Sequence, residues 1–169
     1  NVDLDLVEIN PQAIRSRKFA APDVTESAEL FQKFLDGLEK TATAEARHQL
    51  ILKECADWLA SNGLTPLASS SVDLAYKIHG KVFAFEIKSA TADSFTAQFE
   101  AGVMQIARYK WEFVSRGIDV DAGLIIELPE TVSATTDFQN FAEFLGINLL
   151  FWVSRESFPK RVEGLIPLY

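Results

Sequence analysis

The stretch that decides the fold is Ser71-Val72-Asp73-Leu74-Ala75-Tyr76-Lys77-Ile78-His79-Gly80-Lys81-Val82-Phe83-Ala84-Phe85-Glu86-Ile87-Lys88-Ser89. Apolar residues recur at every second position on both sides of His79-Gly80, which is the period of a strand. A two-residue loop between two such runs predicts a tight β-hairpin. The turn then sets the register. Ile78 faces Lys81, Tyr76 faces Phe83, Leu74 faces Phe85 and Val72 faces Ile87, all on the core face. On the opposite face Asp73 lies across from Glu86, and Ser71 lies across from Lys88.

Two carboxylates opposed across a strand pair repel each other. A divalent cation would offset that repulsion, and Mg2+ is a hard ion that takes carboxylate oxygens and keeps several waters. Lys88, two residues from Glu86, shares its face and adds a positive charge at the rim. A metal beside a lysine suits phosphodiester hydrolysis: the metal polarises a phosphoryl oxygen and acidifies a water, and the lysine orients that water or stabilises developing charge. The Glu-x-Lys spacing alone describes a solvated polar strand face equally well. The hairpin register is what favours a site.

Outward from the hairpin, helical spacing of Leu50, Ile51, Cys55, Trp58 and Leu59 predicts a helix over Thr43–Asn62, stopped by Asn62-Gly63. Leu64–Ser70 reads as a short strand, with Pro66 suiting an edge position. After the hairpin come a long helix over Ser94–Ser115, a strand within Asp121–Leu128, a helix over Asp137–Leu145 and an apolar strand at Ile147–Val153. That last strand is apolar enough to be central. The order is helix, three strands, helix, strand, helix, strand, an α/β layout with a mixed sheet flanked by helices. Residues 1–40 read as an N-terminal extension of a short strand (Val2, Leu4, Leu6) plus a helix. That helix spans Glu26–Glu39, behind a capping box at Asp23–Glu26. Residues 41–169 form the main domain.

The chain has 169 residues, 48% hydrophobic and 24% charged, ordinary for a folded domain and wrong for a disordered one. Cys55 is the single cysteine, which excludes an internal disulfide and a Cys-based zinc site. No apolar run approaches bilayer length, and Asn1–Ile9 carries acids where a signal peptide carries bases. A cytoplasmic protein with no membrane partner is expected. The net charge of −8 argues against tight phosphate binding, which needs Lys and Arg.

Asp73 on one strand and Glu86-Ile87-Lys88 on the next resemble the PD-(D/E)XK nuclease superfamily, and the order from Thr43 to Leu128 is similar to its helix, three strands, helix, strand core. Gln105-Ile106-Ala107-Arg108-Tyr109 resembles the Gln-x-x-x-Tyr of RecB-like members, and Ser89 looks like resolvase- and restriction-type members. Val72 stands where the name-giving proline would be. The resemblance covers about half the chain. It implies a restriction-endonuclease-like fold and a Mg2+-dependent endonuclease acting on DNA, with Mn2+ able to substitute, as the nuclease domain of a restriction or defence protein. Asp73, Glu86 and the Ile87 carbonyl would be metal ligands, Lys88 the catalytic lysine, and Gln105 and Tyr109 would point at the metal or a phosphate. Members often carry a further residue on the first core helix. Glu45, His48 and Gln49 are the candidates, Glu45 preferred as a carboxylate ligand and His48 as a group that orients water or touches phosphate. Substrate contacts would come from His48, Ser89, Arg108 and Tyr109.

Two other readings stand beside this one: a catalytically inactive nuclease-like fold serving binding or assembly, which the acidic charge favours, and an RNA nuclease. For a DNA enzyme the acidity implies a division of labour. The backbone would be gripped by a local basic strip (Arg15, Arg17, Lys18, Arg108, Lys110) or by a separate DNA-recognition domain or partner. Cutting both strands asks for two active sites, hence a homodimer.

Overall fold

The computed structural model describes residues 4–11, 14, 28–154, 156 and 164–166, with the backbone alone over 28–40. Arg15, Arg17, Lys18, Val2, the Asp23–Glu26 capping box and the apolar face expected within Glu26–Glu39 lie outside the described residues or side chains. The elements are β1 (Val7–Glu8), α1 (Ala28–Ser61), β2 (Leu67–Ala68), β3 (Leu74–Ile78), β4 (Lys81–Lys88), α2 (Phe95–Ser115), β5 (Val120–Glu127), α3 (Thr136–Phe144) and β6 (Asn148–Trp152). Among the described residues they form one six-stranded sheet in sequential order β1 to β6. β1 to β4 pair antiparallel, and β4, β5 and β6 pair parallel. The fold is therefore α/β with a mixed sheet flanked by helices, as the element order implies.

The hairpin carries the register that its turn dictates, with Leu74 paired to Phe85, Tyr76 to Phe83 and Ile78 to Lys81. His79 and Gly80 have φ of 50° and 85°, both positive, the conformation that a tight two-residue turn requires. β4 alternates by size as well as by face. Phe83, Phe85 and Ile87 pack under α1 with Leu74, Tyr76, Ile51, Cys55 and Leu59. Val82 and Ala84 lie on the other face, beneath Phe99, Val103 and Ile106 of α2. Both faces are buried, so the strand reads as nearly continuous apolar sequence.

Four expectations need correction. The expected register does not continue beyond Leu74. Val72 packs in the core beneath α2, whereas Ile87 packs beneath α1. The reason is a turn over Ser69–Val72, closed by Ser69 N–H to the Val72 carbonyl at 3.0 Å and by Ser71 and Val72 N–H to Ser69 Oγ at 3.1 Å each. The two expected N-terminal helices are one helix of 34 residues, because residues 40–43 hold no Pro or Gly to break it. The boundary expected between residues 40 and 41 thus falls inside α1. β2 is not an edge strand, since β1 pairs with its outer side and Ile9 N–H donates to the Pro66 carbonyl at 3.0 Å. β6, expected to be central, pairs among the described residues with β5 alone and is half-buried. The strands buried on both faces are β4 and β5.

Candidate active site

Antiparallel pairing of β3 with β4 stops at Leu74, one residue after Asp73. The Asp73 carboxylate takes over as acceptor: Oδ2 receives the Ile87 N–H at 2.9 Å. This bond brings Asp73 to the carboxyl end of β4 although the two acids are not ladder partners. β4 and β5 run parallel there, and the carboxyl ends of parallel strands are where α/β sheets place their ligands.

Glu86 is only 3% exposed. Its Oε1 accepts a hydrogen bond from Lys88 Nζ at 2.8 Å. Burial, followed by the negative charge of Asp73, pushes the Glu86 carboxyl up to about 7, although Lys88 and His48 pull the other way. Without a cation, the site partly holds a proton near neutral pH.

From α1, His48 Nε2 lies 3.3 Å from Asp73 Oδ2. Burial lowers the His48 pKa, but the hydrogen bond to Asp73 and the charges of Asp73, Glu45 and Glu86 outweigh it, and the net shift is upward. Glu45 itself accepts a hydrogen bond from Gln49 at 2.9 Å. From α2, Tyr109 is buried, hydrogen-bonded to Gln105 and within the field of Glu86. Burial first, and that charge second, raise its pKa. Gln105 and Tyr109 are one turn apart and so share this face of α2.

Asp73, Glu86, the Ile87 backbone, Lys88, His48, Gln105 and Tyr109 thus converge from α1, β4, α2 and the residue just before β3. Ser89 and Lys110 make bonds of their own elsewhere. Ser89 Oγ donates to the Ala44 carbonyl at 3.0 Å and ties the end of β4 to α1. Arg108 is exposed on α2. Lys110 belongs to no basic strip: its Nζ donates to the Gly146 carbonyl at 2.6 Å and the Leu145 carbonyl at 3.4 Å, capping the last turn of α3.

No family model, curated protein or solved structure matches this chain.

Among the described residues, no three His, Cys, Asp or Glu side chains gather into a cluster that could hold a metal. The donors on hand are two carboxylates and a backbone carbonyl. That set fits Mg2+, which is bound through one or two carboxylates and keeps waters, better than it fits zinc, which takes three or four protein ligands. Burial and the neighbouring Asp73 charge raise the Glu86 carboxyl, and a cation beside the two acids would offset that cost.

Three participants were not found from sequence. Gly102 of α2 is where the helix meets the sheet: a Cβ there would lie 2.5 Å from Leu124 Cδ1 and 3.2 Å from Lys88 Cγ. A side chain there would displace Leu124 and crowd the lysine stem. Arg47 of α1 pairs with the buried Glu127 at the end of β5 through Nε to Oε2 at 2.9 Å and through Nη2 to Oε1. A lone acid ending the apolar run Leu124-Ile125-Ile126 was the available signal, because a buried carboxylate needs a partner.

Proposed function

We propose that this chain is a Mg2+-dependent endonuclease of the PD-(D/E)XK type that hydrolyses DNA phosphodiester bonds. On this reading it is cytoplasmic and serves as the nuclease domain of a restriction or defence protein, paired with a separate DNA-recognition domain or partner. The observation that carries the reading is the buried Glu86–Lys88 pair beside Asp73 at the carboxyl end of β4, faced by Gln105 and Tyr109. The order α1, β2 to β4, α2, β5 supports it, being the order of restriction-endonuclease-like cores.

Asp73, Glu86 and the Ile87 carbonyl would hold the ion, with Mn2+ able to substitute, and Glu45 is a further candidate from α1. When bound, Mg2+ supplies polarisation of the phosphoryl oxygen and an acidified water. The remaining chemistry falls to the chain. Lys88, held by Glu86 and only partly exposed, offers a fixed positive charge to the phosphoryl oxygens as water adds to phosphorus and the P–O ester bond breaks. His48 holds the Asp73 carboxylate in place, and Tyr109, oriented by Gln105, donates to a phosphate oxygen.

Plasmid cleavage tests the reading. Wild type nicks or cuts with Mg2+ or Mn2+ and not with EDTA, and Lys88→Ala loses at least about 100-fold in rate, the scale of removing one preorganised electrostatic stabiliser. Metal-dependent cleavage that survives Asp73→Ala, Glu86→Ala and Lys88→Ala alike would sink the assignment. The net charge of −8 favours a second reading, a nuclease-like fold used for binding or assembly. Absence of any Mg2+ or Mn2+ heat at millimolar concentration would favour it.

A further inference from the structure

Beside the site lies an open cleft of about 800 Å3, walled by α1, by the residues just after β4 and by the start of α2. Its lining includes Thr43, Arg47, Ser89, Thr91, Gln98 and Glu127. The volume falls within the ~300–1,000 Å3 of sites that bury a small molecule or one group of a larger one. Ser89 and Ala90, both in the wall, directly follow Lys88, so the cleft opens beside the Glu86–Lys88 pair.

Charge limits what the cleft can take. One cation, Arg47, stands against two carboxylates, Glu127 and Asp93, and the cation is paired. A phosphate finds no net attraction there, whereas an uncharged hydrogen-bonding ring does. Arg47 is also built as a platform. Glu127 holds its guanidinium at two points, and the Trp152 ring lies 6.0 Å away on one side. Glu127 is itself anchored by the Ala90 N–H at 3.3 Å. The Arg47 side chain stays 43% exposed and lines the cleft. Bases stack on guanidinium planes as they do on aromatic rings. Half-buried Gln98 presents an amide that both donates and accepts, the property needed to read the edge of a base.

We infer that this cleft receives one unstacked nucleobase of the cleaved strand, stacked on Arg47 and read by Gln98, and that the preferred substrate is therefore single-stranded DNA or a frayed or mispaired strand. The inference rests on the nuclease reading above. In intact duplex the base must first be unpaired and unstacked, which slows the reaction.

The test uses synthetic oligonucleotides of one sequence, single-stranded and duplex, with Mg2+ and the full chain. Each nucleotide around the mapped cut is replaced in turn by an abasic one. Wild type is expected to cut the single strand at least about 10-fold faster than the duplex, and to lose about 10-fold when one position flanking the cut is abasic. Arg47→Lys keeps the ion pair but not the plane. It should lose about 10-fold on the intact strand and nothing further on the abasic one. Gln98→Ala, outside the ion pair, should shift base preference at that same position, which keeps the test decisive if Arg47→Lys is poorly folded. Abasic positions that leave the wild-type rate unchanged, or a duplex cut as fast as the single strand, overturn the inference while the nuclease reading stands. No metal-dependent cleavage of any strand by wild type overturns both.

Discussion

Glu86 shows how one residue joins sequence, burial and chemistry. It interrupts the apolar run of β4, and the sheet then buries it to 3% exposure, so its charge is costly without a cation. Its carboxyl stands at about 7 in the fold against 4.5 ordinarily. A raised folded-state pKa contributes stability that is complete below the unfolded pKa and disappears as pH rises through the folded one. In EDTA, this residue therefore makes the protein less stable between pH 4.5 and pH 7. Gln cannot ionise. Glu86→Gln should match wild type in chemical denaturation at pH 4.5 and exceed it by roughly 1–3 kcal/mol at pH 8. An equal difference at both pH values would mean that Glu86 is not held near neutrality by its surroundings. Glu86 and Lys88 are legible in sequence because the period of a strand puts them on one face, whereas Asp73 reaches them through its bond to the Ile87 N–H and not through the register of the turn. Gly102 is not legible, because its role is the absence of a Cβ facing residues 14 and 22 positions away along the chain, Lys88 and Leu124.

Among elements, the hairpin was the most readable and α1 the least. Local chemistry alone determines the turn: both residues must take positive φ, which Gly accepts and His resists. His79→Asn, which tolerates that conformation better, should raise stability by about 0.5–1 kcal/mol in urea denaturation without changing cleavage. A loss of stability would show that the His79 side chain makes a contact worth more than the turn strain. α1 reads as two helices because residues 40–43 hold no large apolar side chain to carry the buried stripe across, yet nothing there forbids a helix. Lys110 was misassigned for a related reason. A cation on a polar helix stripe looks the same whether it faces a phosphate or, as here, the carbonyls of Leu145 and Gly146 at the end of another helix.

For the whole molecule, the charge of −8 acquires a local meaning. Part of the acidity is buried where a cation would neutralise it, and the rest repels phosphate, which is why the proposed nuclease reading includes a separate recognition domain or partner. Binding of Mg2+ to the folded state alone should raise Tm with concentration. The rise should be larger at pH 8 than at pH 5, because a proton on Glu86 competes with the ion at the lower pH. Scanning calorimetry at the two pH values checks this, and a rise that is equal at both, or that persists in the Asp73→Ala/Glu86→Ala variant, would place the metal elsewhere. Among the described residues no helix is long and apolar enough to cross a membrane.

By itself the sequence determined the element order, the hairpin turn and its register from Leu74–Phe85 to Ile78–Lys81, and the placing of Glu86 and Lys88 on one face of the second strand. All of these follow from short-range periodicity and turn chemistry. Tertiary structure decided the rest. It set where strand pairing stops, it placed β6 at the edge, it ran α1 unbroken, and it joined Arg47 to Glu127 across 80 residues of chain. Those outcomes depend on which faces meet once both sides of the sheet are covered, and no local pattern encodes a partner that arrives from the far side of a core.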